Sequence, residues 1–202
     1  PTMFTPTVAL DATELPAVSV EEIGREHSPD PDAELMTEVS RGSEIAFTVL
    51  VRRHQNPLLN FFTRMGALSD GEDLVQETFV RLFRYRDRYR PTARFTALLY
   101  HLARNVWADR GRKDARFERL TSGLRAESAV SSAPDFTNPG ERLDVDAALQ
   151  KLSPKLREVI VLNVYQRLRY QEIADVLGIP LGTVKSRINL AVAALKEILH
   201  DH

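Results

Sequence analysis

The 202-residue chain contains no cysteine, which excludes disulfide bonds, thiolate metal ligands and a cysteine nucleophile. No apolar run approaches the roughly 18 residues that a membrane-spanning helix needs, so we expect no membrane insertion. The N-terminus shows no basic segment followed by an apolar one, so we expect no signal peptide and a cytoplasmic protein. The five histidines are scattered, and only His200 and His202 lie close together. Convincing strand patterns and internal repeats are also missing, so the sequence predicts an all-α fold.

The formal net charge of −1 conceals two segments of opposite charge. Residues 1–40 carry nine acidic residues and one basic residue, which leaves −8. Residues 81–119 carry eleven arginines and one lysine against four acidic residues, which leaves +8. A segment that basic favours binding to a polyanion.

Apolar periodicity and composition predict two small helical domains joined by a flexible linker. Residues 1–30 are acidic and contain several prolines, so we expect a largely disordered extension. The first domain covers residues 31–118, a helical bundle. Residues 119–140 are rich in Ser, Ala, Pro and Gly, which is typical of a flexible linker. The second domain covers residues 141–202.

Local signals predict the helix ends of the first domain. Pro57 should kink the second helix, and Gly66 should end it. Ser69 and Glu72 predict a capping box at the start of the third helix. The third helix has one apolar face that we expect to be buried: Leu74, Val75, Thr78, Phe79, Leu82 and Phe83. A fourth helix should run over residues 93–120.

Residues 170–189, YQEIADVLGIPLGTVKSRIN, have the pattern of a helix-turn-helix. Ala174 is small enough for two helices to cross closely, and Gly178 can adopt the positive φ that ends a helix. Pro180 fixes φ near the start of the next helix. The predicted inward positions are Ile173, Leu177, Ile179, Val184 and Ile188. The second helix then keeps a polar outer face suited to the major groove of DNA: Thr183, Lys185, Ser186, Arg187 and Asn189. The alternative is an ordinary solvated helical hairpin.

Aromatic side chains alternate with arginines in the basic segment. Arginines track phosphates and aromatic rings accept unstacked bases, a combination that suits capture of a single strand. Phe95 and Trp107 fall on an apolar stripe and are expected in the core. The better candidates for DNA contact lie in and around the loop before the fourth helix: Tyr85, Arg86, Arg88, Tyr89 and Arg94.

Three motifs in order, EDLVQETF, ARNVWADRGRK and GTVKSR, resemble the extracytoplasmic-function group of sigma-70-type bacterial RNA polymerase sigma factors. The resemblance covers roughly residues 33–199. It implies a sigma domain 2-like bundle and a sigma domain 4-like helix-turn-helix. It also implies a protein that is not an enzyme, needs no cofactor, docks on the large subunits of core RNA polymerase and reads the −10 and −35 promoter elements. An anti-sigma factor is a further expected partner.

The resemblance assigns roles to three sets of residues. On the third helix, the side opposite the buried face would bind core polymerase through Asp73, Gln76, Glu77 and Val80. On the fourth helix, a polar run would join the loop residues in recognising the −10 element: Arg104, Asn105, Arg110, Arg112 and Lys113. The outer face of the helix-turn-helix would read the −35 element.

Other functions stay open at this point. A stand-alone helix-turn-helix regulator would act as a dimer on palindromic sites. A metal-dependent hydrolase would use the acidic cluster Asp70, Glu72, Asp73 and Glu77, although no further ligands converge on it by sequence. A pure protein-interaction module leaves the reading helix unexplained. The acidic extension either folds back on the basic surface and suppresses DNA binding or is an inert solubilising tail.

Overall fold

The computed structural model describes residues 30–67, 69–121 and 145–200. Every regular element in these three ranges is helical, which confirms the all-α prediction. The predicted extension, apart from Asp30, and most of the predicted linker lie outside the described residues.

Four helices and a short 3-10 turn form the first module. They are α1 (Pro31–Ser40), α2 (Glu44–Met65), α3 (Gly71–Tyr85), the 3-10 turn Arg86–Arg88, and α4 (Phe95–Thr121). Helix α2 packs against both α1 and α3, and α3 also packs against α4. The core between them holds large, fully buried side chains: Leu50, Phe61, Phe62, Leu82 and Phe95. Burial of these apolar surfaces is the main force that stabilises the bundle.

One helix end of this module agrees with the sequence, and another does not. Gly66 ends α2 with a φ of 114°, as predicted, and α2 continues through Pro57. The predicted capping box of Ser69 and Glu72 is wrong: α3 begins at Gly71 after Asp70, with no capping hydrogen bond from a side chain. Asp70, not Ser69, occupies the N-cap position, and its carboxylate pairs with Arg110 on α4 instead of capping the helix.

Asp30 ties two helices together. One carboxylate oxygen, Oδ1, accepts hydrogen bonds from the backbone N–H groups of Asp32 (3.1 Å) and Ala33 (3.3 Å) and so caps α1. The other oxygen, Oδ2, accepts from the backbone N–H of Phe95 at 2.8 Å, which fixes the start of α4. The C-terminal end of the loop before α4 is therefore held by Asp30, the residue that caps α1.

One further prediction needs correction. Phe83 was expected in the core but is 37% exposed. It lies at the edge of the α2–α3 contact, where its ring contacts Phe47 (centroids 5.0 Å apart) and the guanidinium of Arg86. Helix α4 ends at Thr121, one residue beyond the predicted helix end at residue 120. The residues of its last turns, up to Leu120, are mostly exposed.

The second module is built from shorter helices. They are α5 (Val145–Lys151), α6 (Pro154–Ile160), a wider π-helical segment (Val161–Tyr165), α7 (Tyr170–Leu177) and α8 (Leu181–His200). Ser153 precedes α6 without a capping hydrogen bond from its side chain, and Pro154 lies in the first turn. The helix widens at Val161, and the Asn163 side-chain amide donates to the carbonyl of Leu168 (3.1 Å). Helix α8 packs against α5, α6 and α7.

The two modules also pack against each other. Helix α7 lies against α4, and the end of α2 contacts α5, α6 and the π-helical segment. The sequence predicted two domains on a tether and gave no sign of this contact.

Candidate nucleic-acid interface

Helices α7 and α8 form the predicted helix-turn-helix. Gly178 ends α7 with a φ of 64°, and its backbone N–H donates to the carbonyl of Ala174. Ala174 is itself buried at the crossing. Ile173, Val184 and Ile188 are also buried, as the spacing predicted. The turn therefore holds α8 with its apolar side inward and its other side free to approach a partner.

The outer face of α8 is polar, and its members differ in exposure. Lys185, Ser186 and Asn189 are exposed, whereas Thr183 and Arg187 are half-buried. The Ser186 hydroxyl donates to the carbonyl of Thr183 at 3.0 Å, which leaves its oxygen as an acceptor. Lys185 and Asn189 are thus the side chains best placed to reach phosphates or base edges.

Arg187 leans along the surface of its own module. Its charge acts on Glu158 of α6, a half-buried carboxyl that also pairs with Arg104 of α4 (Nε–Oε1 3.3 Å). The atoms of the Arg104 pair are poorly aligned for a hydrogen bond, so the contact is an ion pair. Burial raises the pKa of Glu158, and the two arginines offset this only in part. Glu158 therefore lies between an arginine predicted to contact the −10 element and one predicted to contact the −35 element.

The residues predicted around the loop before α4 occupy different environments. Arg88 and Arg94 are exposed, and Tyr85 and Arg86 are half-buried. The Arg86 guanidinium stacks on Phe83 (4.2 Å to the ring centroid) and donates to the carbonyl of the same residue (2.9 Å).

Tyr89 is buried, with 5% of its surface exposed, and its hydroxyl has no hydrogen-bond partner. Burial, with a smaller contribution from Asp30, raises the pKa of Tyr89 to about 12. In this conformation the ring is part of the core and is not available to a DNA strand.

Acidic neighbours hold two of the predicted DNA-contacting arginines on α4. Arg110 pairs with Asp70 and lies 5.2 Å from the centroid of the Trp107 ring. Arg112 pairs with Asp109, which also accepts from Arg81 at 2.7 Å. Hydrogen bonds from Arg81 first, and then from Arg112, hold the pKa of Asp109 below its usual range.

Two further members of the predicted polar run on α4 make no such pair among the described residues. Asn105 is half-buried and Lys113 is exposed. The three-residue spacing of Asp109 and Arg112 was a readable signal for their pair, whereas the pair between Asp70 and Arg110 depends on the fold.

The predicted polymerase-docking side of α3 points outward. Asp73 and Gln76 are exposed, Val80 is 42% exposed, and Glu77 is half-buried beside Arg81 (2.8 Å).

An apolar groove that the sequence did not reveal borders this side of α3. Its lining comes from α2 and α3: Glu44, Phe47, Thr48, Phe79, Val80, Phe83 and Arg84. Phe83, which the sequence placed in the core, forms part of the wall of this groove. The face thus combines exposed acid and amide groups with apolar surface, a combination suited to another protein.

Within the described residues, no group of His, Cys, Asp or Glu side chains is arranged to hold a metal ion. The acidic cluster at the start of α3 is spread: Asp70 pairs with Arg110 and Glu77 with Arg81, while Glu72 and Asp73 are exposed. None of the described helices is long and apolar enough to cross a membrane.

A helix-turn-helix and a separate arginine-rich bundle on one chain define a DNA-binding protein of the transcription machinery. Comparison with known proteins makes this specific. The family models for Sigma-70 region 2 and Sigma-70 region 4 match residues 50–117 and 142–195. The chain belongs to the extracytoplasmic-function group of sigma-70-type RNA polymerase sigma factors.

Three similar proteins illustrate the family. The RNA polymerase sigma factor CarQ of Myxococcus xanthus is 34% identical over 79% of this chain and 92% of its own. The ECF RNA polymerase sigma factor SigE of Mycolicibacterium smegmatis is 36% identical over 76% of this chain, which spans 61% of that relative's length. A solved structure of the sigma factor RpoE with the anti-sigma factor NepR from Bartonella quintana matches 76% of this chain and 96% of the matched chain. Its TM-score is 0.63 at 28% identity.

Proposed function

We propose that this protein is a promoter-specificity subunit that binds core RNA polymerase through α3, the −10 element through the first module and the −35 element through α8. The observation that carries the proposal is the presence on one chain of two polar, cationic faces, each on its own helical module. It acts by binding, without a cofactor, and in the cytoplasm, where bacterial core polymerase works. A stand-alone helix-turn-helix regulator leaves the first module without a role.

Docking on polymerase rests on the exposed side of α3. Asp73 and Gln76 provide acceptors, and Val80 adds apolar surface at the edge of the Phe47–Phe83 groove. Such a face fits a basic helical surface with apolar residues on a large polymerase subunit. An anti-sigma factor, of the kind bound to RpoE in the Bartonella structure, would compete for the same face.

Recognition of the −10 element rests on the loop and on α4. Arg88 and Arg94 are exposed, and Lys113 extends the cationic path along α4. Arg104 and Asn105 lie on the same helix, where they can reach base edges once the strands separate. A flipped base costs a few kcal/mol of lost stacking, which contacts of this kind must offset. Tyr89 is left out because its ring is buried.

Recognition of the −35 element rests on α8. Lys185 and Asn189 project from the exposed face, and Thr183 and Ser186 add weaker contacts near the helix start. A good bidentate contact to a base edge discriminates by about 1–3 kcal/mol. Two such contacts would set the preferred −35 sequence.

The deciding experiment is run-off transcription of genomic fragments by sigma-free bacterial core polymerase, with and without this protein. We expect discrete start sites only when the protein is present. The double variant Lys185→Ala, Asn189→Ala should lose starts that depend on a −35 element but still bind core polymerase. Lys196→Ala, an exposed lysine near the other end of α8, serves as the matched control. Transcripts with identical start sites in the absence of the protein would refute the proposal.

A further inference from the structure

Helix α8 carries an exposed leucine that none of the contacts proposed so far uses. Leu190 directly follows Asn189, and 60% of its surface is exposed. The buried residues of α8 lie on the other side of the helix: Val184, Ile188, Ala191 and Leu195. A single exposed leucine is common on protein surfaces. Its position on the helix therefore decides whether Leu190 has a role.

Helical spacing places Leu190 among the residues proposed to read the −35 element. Residues three and four apart on a helix are neighbours, and Leu190 follows Ser186 by four positions. A helical side chain covers the turn that precedes it, so Leu190 extends over the surface towards Ser186. From Thr183 to Leu190 the helix rises by roughly 10 Å. This length fits the major groove, which is about 12 Å wide.

The neighbouring side chains leave Leu190 free to contact a base. Ser186 is short, and its hydroxyl donates to a backbone carbonyl of its own helix at 3.0 Å. Arg187 is half-buried and leans along the module, where its charge acts on Glu158. Ala193, one turn further along the same outer face, is also short and is exposed. Leu190 therefore reaches further from the helix axis than Ser186 and Ala193.

The chemistry of a leucine side chain restricts what it can recognise. It has no hydrogen-bond donor or acceptor, so it cannot read the polar edges that distinguish the four base pairs. The one apolar group that bases present in the major groove is the C5-methyl group of thymine. Removing one methyl group from water favours binding by about fourfold.

We propose that Leu190 is a specificity-determining residue that packs on the C5-methyl group of one thymine in the −35 element. The inference deepens the proposed function and rests on it. Lys185 and Asn189 supply the polar contacts of α8, and Leu190 adds a preference for thymine that hydrogen bonds to the neighbouring bases do not supply. The contact is continuous with the polar reading face, since Asn189 and Leu190 are adjacent.

Replacement of thymine by uracil gives the first test, because uracil lacks only the methyl group. A promoter found by run-off transcription is rebuilt with deoxyuridine in place of each −35 thymidine in turn, on either strand. The affinity of core polymerase loaded with this protein is measured for each duplex by competition in fluorescence anisotropy. We expect one substitution to weaken binding by about fourfold.

A variant of the protein shows whether Leu190 is the partner of that methyl group. Leu190→Ala changes a largely exposed residue and should keep the wild-type melting temperature. It should bind the promoter more weakly and should no longer distinguish thymidine from deoxyuridine at the sensitive position. Val164→Ala is the matched control, because Val164 is a partly exposed apolar residue (38%) of the same module outside α8. It should keep the fourfold difference.

Methylated cytosine gives a test in which affinity is gained. The methyl group of 5-methylcytosine occupies the same ring position as that of thymine. At the sensitive position the T·A pair is replaced by C·G, with or without this methyl group. Wild-type protein should bind the methylated duplex about fourfold more tightly than the unmethylated one. Leu190→Ala should bind both equally.

The outcomes separate this inference from the proposed function. Equal affinity of the wild-type protein for thymidine and deoxyuridine at every position would overturn the inference and leave the proposed function intact. A −35 element without thymine on either strand would do the same. An equal loss in wild type and Leu190→Ala would show that another residue, or a polymerase subunit, covers the methyl group or the leucine, which also overturns it. The absence of protein-dependent start sites would refute the proposed function and the inference together.

Discussion

Asp30 offers a sharp test of how the first module is held together. Its two carboxylate oxygens accept different hydrogen bonds: Oδ1 caps α1, and Oδ2 accepts from the backbone N–H of Phe95 at 2.8 Å. Loss of an N-cap costs typically about 1 kcal/mol. Loss of a partner for a buried backbone N–H costs about 1–2 kcal/mol. Asp30→Ala should therefore lower the free energy of unfolding by about 2–3 kcal/mol.

Two further variants separate these contributions. Asp30→Ser keeps an oxygen that can cap α1 but cannot also reach Phe95, so it should lose only about 1–2 kcal/mol. Ser43→Ala removes the cap of α2, where the hydroxyl accepts from Ala46 N–H at 3.2 Å, and reports the cost of a cap alone. Urea unfolding followed by circular dichroism measures all three. Hydrogen exchange at the Phe95 amide should accelerate in Asp30→Ala and Asp30→Ser and not in Ser43→Ala.

The reasoning fails if Asp30→Ala costs no more than Ser43→Ala, since the link to α4 would then contribute nothing. It also fails if Asp30→Ser leaves exchange at Phe95 unchanged. A large change in the urea m-value would show that the denatured state, rather than the link, had been altered.

Three other predictions concern the docking face, the groove and the buried carboxyl. Asp73→Lys should leave the melting temperature unchanged and abolish co-purification with core polymerase. Asp73 is a better site for charge reversal than Glu77, because Glu77 forms an ion pair with Arg81 that the reversal would also break. Phe79→Ala should lower the free energy of unfolding in urea by about 3–5 kcal/mol, because Phe79 is buried. Phe83→Ala, at a partly exposed position, should lower it much less but weaken binding to polymerase. Equal losses of stability in the two variants would contradict the assignment of Phe83 to an open groove. Burial raises the pKa of Glu158, so the folded protein binds the proton more tightly than the unfolded chain, and stability increases as the pH falls through the raised pKa. Glu158→Gln, which copies the neutral form, should thus melt above wild type at neutral pH, and the difference should shrink towards about pH 4; a constant difference would contradict this.

Much of the helix-turn-helix could be predicted from the sequence, because its signals lie within a few residues of one another. The positive φ at Gly178 and the burial of Ile173, Val184 and Ile188 follow from the residue types and a spacing that one helix face repeats. The same holds for Gly66 at the end of α2. The outward direction of Asp73, Gln76 and Val80 could also be predicted, because these residues lie on the side of α3 opposite its buried apolar face.

What the sequence did not predict depends on contacts between distant segments. The sequence placed Asp70 in an acidic cluster, but its partner is Arg110, and that pair exists only when α3 and α4 are side by side. Phe83 lies at the end of an apolar stripe, where the width of the neighbouring helix contact decides whether a ring is covered. Tyr89 looked like a stacking residue because loop sequences do not show which side chains fold inward.

The sequence by itself determined the helical class, the motif order and hence the family, since periodicity, capping and turn chemistry act over a few residues. Only the tertiary structure decided which arginines face a carboxylate and which face solvent. It alone placed Asp146, Glu158 and Glu172 against the first module. The reason is physical: charge pairing and burial depend on separation in space, and residues up to 82 positions apart in the chain, such as Arg64 and Asp146, acquire that separation only on folding.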